Sequence, residues 1–116
     1  MIRVSREQLA ERWALTYAQD GYRVRATGVP GLEVAPSIAG FVPDIEATKD
    51  AEQIVVRIVA SPEDFNGETL KRELGALGGS RRVGQKLHLV VAAECAHDIK
   101  ERLDAWHVHA DQVHVT

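Results

Sequence analysis

Two carboxylates two residues apart, Asp44 and Glu46, lie in the apolar-rich run FVPDIEA. In an extended chain such a pair projects from one face. Paired carboxylates supply hard oxygen ligands for a divalent cation such as Mg²⁺, and a cation so held polarises a phosphodiester and activates water. The plainer use of Asp44 is an ion pair across a hairpin, and that of Glu46 is a solvated place at a sheet edge. Arg57 stands alone among the apolar residues of IVVRIVA. An unpaired buried charge costs several kcal/mol, so Arg57 must find a partner. Asp44 is the nearest carboxylate by register and Glu46 the second choice.

His107 and His109 are two apart, with Asp111 and His114 close behind. Imidazole and carboxylate can bind Zn²⁺ or another transition metal. The competing reading is the polar face of a C-terminal edge strand. Cys95 and His97 are also two apart, but at a helix start they do not face each other, so Cys95 reads as a buried structural thiol. Lys71, Arg72, Arg81, Arg82 and Lys86 are the local basic concentration, suited to phosphate contacts. Glu68 and Glu73 are interleaved with them, which also fits a solvated face. Gly78-Gly79-Ser80 lacks the Gly-Lys-Ser/Thr ending of a phosphate-binding loop.

The elements that must position these residues follow from pattern. Ser5 is a good N-cap, and Leu9, Trp13, Ala14, Tyr17 and Ala18 form one helical stripe ended by Asp20-Gly21. Tyr22–Ala26 alternates as a half-buried strand. Residues 27–40, rich in Gly and Pro, read as an irregular crossing. Phe41–Ala47 and Gln53–Ala60 read as a hairpin joined by a polar turn over 48–52, with Lys49 in the turn. The second strand is apolar on both faces, as a central strand is. Leu70, Leu74 and Leu77 mark a helix over 67–77. Lys86–Ala93 is a strand, Glu94–Ala105 a helix, and 108–115 a closing strand. The order α-β-β-β-α-β-α-β requires parallel crossovers and predicts an α/β domain, a mixed central sheet flanked by helices.

The 116 residues predict a single domain spanning 1–116, with 45% apolar and 27% charged residues. That composition excludes a disordered chain and a disulfide scaffold. No apolar run approaches the ~18 residues of a membrane span. Arg3, Arg6 and Glu7 precede any apolar stretch, against a signal peptide. With one cysteine, a cytoplasmic setting is the simplest expectation. The net charge of −3 argues against strong whole-surface attraction to nucleic acid.

The order helix, strand, FVPDIEATKD, AEQIVVRIVAS, helix, strand, helix resembles the restriction-endonuclease-like fold of the PD-(D/E)xK nuclease superfamily, from Glu7 to Val115. Pro43-Asp44 matches the first half of that motif. The resemblance implies an acidic residue and a lysine on the second hairpin strand, where this chain has Arg57 and Val59. An arginine repels a cation, and a valine cannot hydrogen-bond a water. The resemblance therefore implies a degenerate member: a non-catalytic, nuclease-like domain without a cofactor, binding nucleic acid weakly or a protein partner. The alternative is an active Mg²⁺-dependent endonuclease with displaced residues, using Asp44 and Glu46, with Glu63 or Lys49 as further candidates. Glu7 and Glu11 are candidates for the helix acid that some members of the superfamily add. A homodimer is also expected, through Trp13, Trp106 or the terminal strand, because tryptophan favours interface cores.

Overall fold

The computed structural model describes residues 5–38, 40–61, 67–79 and 83–116. Helix α1 spans Arg6–Gln19. Its start is a capping box: the Gln8 amide donates to Ser5 Oγ, and the Ser5 amide donates to Gln8 Oε1. Three strands follow, β1 (Arg23–Ala26), β2 (Ile45–Lys49) and β3 (Glu52–Val59). Then come α2 (Gly67–Gly79), β4 (Gln85–Val91), a 3-10 turn at Ala93–Cys95, α3 (Ala96–Trp106) and β5 (Gln112–Val115). The five strands form one sheet in the order β1-β2-β3-β4-β5. β1, β2 and β3 are an antiparallel meander, whereas β3, β4 and β5 run parallel. The chain is thus a mixed α/β domain with helices on both faces of a mixed sheet.

Each face has its own core. Ile54, Val56 and Ile58 of β3 point to α1, where Leu9, Ala10, Ala14 and Tyr17 are buried. Val55 and Val59 point the other way, onto Leu70, Leu74 and Leu77 of α2 and Ile99 and Leu103 of α3. This two-sided burial is why β3 reads as a nearly continuous apolar run. Arg57 interrupts the second face.

Several boundaries differ from expectation. The first hairpin strand begins at Ile45 rather than Phe41. Pro43 has no amide hydrogen for a ladder, and Phe41 instead makes an isolated bridge with Ile38. At its other end β2 runs on through Thr48 and Lys49, which pair with Gln53 and Glu52. The polar turn shrinks to Asp50-Ala51, with Asp50 at φ 53°, a left-handed conformation that aspartate tolerates. The closing strand starts at Gln112, not at 108. α3 continues through Trp106, and His107 caps it in a left-handed conformation at φ 56°. Among the described residues, no helix is long and apolar enough to cross a membrane.

Gly84 docks the start of β4 on β3, its carbonyl accepting from the Gln53 amide at 2.8 Å. Its φ is +87°, and a Cβ there would come within 2.4 Å of the Ala51 carbonyl oxygen. Gly84→Ala is therefore expected to destabilise the domain by ~2 kcal/mol or more in urea unfolding, from backbone strain and collision together. A wild-type unfolding midpoint would show that the turn relaxes instead.

Candidate functional site

The hairpin register places Ile45 opposite Val56, so Asp44 stands opposite Arg57. Asp44 is held from both sides. Its Oδ1 accepts from Arg6 Nε at 2.7 Å, and its Oδ2 accepts from the Ile58 amide at 2.7 Å and Arg57 Nη1 at 3.3 Å. Arg57 Nε also lies 3.0 Å from Glu73 Oε1 on α2. That pair is an ion pair by distance, although the Nε–H does not meet the alignment of a hydrogen bond. Arg57 Nη1 makes a further close contact with the Ile58 carbonyl. Exposure is 5% for Asp44, 5% for Arg57 and 8% for Glu73. The cross-strand Asp44–Arg57 pair matches the sequence expectation, whereas Glu73 is an addition to it. Its interleaving with basic residues suggests a solvated face for Glu73, yet it stands three residues after Leu70 and four before Leu77. That spacing puts it on the buried stripe, and it was the signal that could have found it.

Glu46 is a correction. It does not lie at a solvated edge, because β2 is an interior strand between β1 and β3; its exposure is 2%. Arg25, opposite it on β1, reaches Glu46 Oε1 through Nε at 2.7 Å. Gln53 Nε2 donates to Glu46 Oε2 at 2.7 Å, and Gln85 Nε2 donates to Gln53 Oε1. A polar row thus crosses four strands. Glu46 is taken by Arg25, so it is not the second partner of Arg57. Val59 is fully buried in the core beneath α2.

The remaining candidates scatter. Lys71 and Arg72 are exposed on α2. Lys86 pairs by register with Ile54 and so faces the α1 side, with its Nζ 3.7 Å from Glu52 Oε2. The structure therefore does not join Lys86 to Lys71 and Arg72 in one patch. Arg81, Arg82 and Glu63 lie outside the described residues. Lys49 Nζ donates to the Asp20 carbonyl at 2.9 Å. Glu7 lines a cleft of about 240 Å³ with Arg6, Thr27 and Asp44; Glu11 does not. Cys95 is buried, as expected of a structural thiol. His107 and His109 precede β5 and so do not share a strand face. Among the described residues, no three His, Cys, Asp or Glu side chains are grouped to hold a metal ion.

His114 belongs instead to a second group, on the α1 face, that sequence reasoning missed. Its register partner is Val90, which places it beside His88, and its ring lies 4.5 Å from Trp13 and 5.5 Å from His88. Tyr17 Oη and His88 Nδ1 share a hydrogen bond of 2.7 Å across the core. Burial holds the Tyr17 hydroxyl well above its ordinary range. Burial also depresses the His88 pKa to about 4, with the neighbouring His114 adding to the effect. His114 is lowered by burial as well. At the rim, the Tyr22 hydroxyl donates to Glu52 at 2.7 Å, which lowers the Glu52 pKa and raises that of Tyr22. The only sequence signal was His88 at an inward position of an apolar strand.

Comparison with protein-family models, curated proteins and solved structures finds no match to this chain.

Two measurements probe these groups. Arg57→Ala removes the shared cation and leaves Asp44 and Glu73 buried. It is expected to cost ~3–5 kcal/mol in urea unfolding, the usual loss for breaking a buried ion pair. A loss below ~1 kcal/mol would mean that the carboxylates reach solvent. His88 titrates at about 4 when folded and near 6.5 when unfolded. Between those values the unfolded chain binds the extra proton, so stability is full above pH 6.5 and falls toward pH 4. The expected loss is roughly 3 kcal/mol. His88→Gln, which keeps a partner for Tyr17 but does not titrate, should flatten that slope. Parallel slopes for the two proteins would refute the assignment.

Proposed function

We propose that this chain is a non-catalytic binding domain on a restriction-endonuclease-like scaffold. The observation that carries the reading is the Arg57 guanidinium lying between Asp44 and Glu73. It brings its own positive charge to the strand position beside Asp44 where the resemblance calls for an acidic ligand. The adjacent antiparallel hairpin and the order of elements support the scaffold assignment.

The residues present do not fit the Mg²⁺ site that the resemblance implies. Both Asp44 oxygens are engaged by protein donors, Glu46 is paired with Arg25, and Val59 is core. A cation entering beside Asp44 would have to displace two guanidinium groups, against their charge. The alternative reading, an endonuclease with displaced residues, rests on the cleft that Glu7 shares with Asp44.

The bound partner in this reading is nucleic acid, held weakly through its phosphates by Lys71 and Arg72 on the open side of α2. The test has two parts. Incubated with supercoiled plasmid and Mg²⁺ or Mn²⁺, the wild type should leave the plasmid intact, as should Asp44→Ala. Metal-dependent nicking that Asp44→Ala abolishes would overturn the non-catalytic reading. In fluorescence anisotropy with a labelled duplex at low salt, the K71E/R72E double variant should bind several-fold more weakly than wild type. Absence of wild-type binding would remove nucleic acid as the partner and turn the search to proteins.

A further inference from the structure

The group on the α1 face opens into a cleft of about 480 Å³, across the sheet from Arg57. Its aromatic walls form a corner rather than a flat stack. Trp13 and Tyr17 are inclined at 48° with ring centres 6.3 Å apart, and Tyr17 and Tyr22 are edge-to-face at 89° and 5.9 Å. All three rings line the cleft, with the His114 ring 4.5 Å from that of Trp13, and ring faces carry the negative end of the aromatic quadrupole. The charge of the lining has the same sign. Among the described lining residues, the carboxylates Asp20, Glu52 and Asp111 stand against the single ammonium of Lys86. Lys86 already faces Glu52. His88 and His114 also line the cleft, and their lowered pKa values keep both rings uncharged at neutral pH. They therefore add no repulsion to a cation.

A second observation points the same way. The chain's own Lys49 ammonium sits 5.2 Å from the Tyr22 ring centre and donates to the Asp20 carbonyl. Tyr22, which lines both this cleft and the neighbouring one that holds Lys49, thus already meets an alkylammonium through its ring.

We propose that this cleft binds a small organic cation, an alkylammonium or quaternary ammonium group, between Trp13 and Tyr22 and against the Glu52 carboxylate. Cation–π attraction and one carboxylate supply the affinity, and the aromatic walls favour a weakly hydrated head group over a metal ion. This inference is independent of the Arg57 network, since none of Arg6, Asp44, Arg57 or Glu73 lines the cleft.

The test is a titration with choline chloride followed through Trp13. The chain has two tryptophans, so Trp106→Phe leaves Trp13 as the sole reporter. In the wild type, the Trp13 indole N–H resonance serves the same purpose without any substitution. Choline should give a saturable change that equal concentrations of NaCl do not. Its uncharged carbon isostere, 3,3-dimethyl-1-butanol, should bind at least tenfold more weakly. Glu52→Gln, which keeps a partner for Tyr22, and Tyr22→Leu should each weaken choline binding by about three- to tenfold. Both positions are partly exposed, and unchanged thermal midpoints would show that the variants fold. Equal binding of choline and its isostere would make the cleft merely apolar. Saturable binding of inorganic phosphate at the same residues would make it an anion site. Either result, or no response to choline in the wild type, overturns the proposal.

Discussion

The guanidinium of Arg57 organises one whole face of this domain. It ties three elements that are separate in sequence: Asp44 ahead of β2, β3 itself, and Glu73 on α2. Desolvating a cation and two carboxylates is expensive, and the cost is recovered only if all three meet in one geometry. Asp44 carries that geometry further, because it also accepts from the Ile58 amide and from Arg6 at the start of α1. One carboxylate thus connects the helix on one side of the sheet to the helix on the other. The remaining core of Leu, Ile and Val packs on both sides of this arrangement without specifying where any polar group must lie.

Element order and sheet composition were legible in the sequence, since they follow from periodicity. Leu9 through Tyr17, the Ile54–Val59 run broken only by Arg57 and the Leu70–Leu77 spacing each point to one regular structure. The element ends were less legible. Thr48 and Lys49 look like turn residues by type, but they pair with Gln53 and Glu52 because a two-residue turn suffices. His107 ends a helix in a conformation that its type does not announce.

Of the candidate site, the Asp44–Arg57 pair could be read from register alone, because residues facing each other across a hairpin are fixed by the position of the turn. The second carboxylate and the aromatic group could not be read so directly. Glu73 is buried only because α2 docks with that side of its stripe against β3. Tyr17, His88 and His114 come from a helix and two parallel strands distant in sequence, and no local spacing relates them. Glu46 escaped for a related reason. Its burial follows from β1 closing over the far side of β2, and β1 is only four residues long.

The sheet narrows toward both margins. β3 has eight residues, whereas the outer strands β1 and β5 have four each. A long, flat, apolar margin is a template for unwanted strand addition, and short or charged margins resist it. β1 places Arg23 at the surface, so one margin is both short and charged. β5 is equally short, and His114 leaves its plane to pack on Trp13. A chain that joined either margin would gain only a few backbone hydrogen bonds. Short margins of this kind discourage open-ended addition of strands to the sheet.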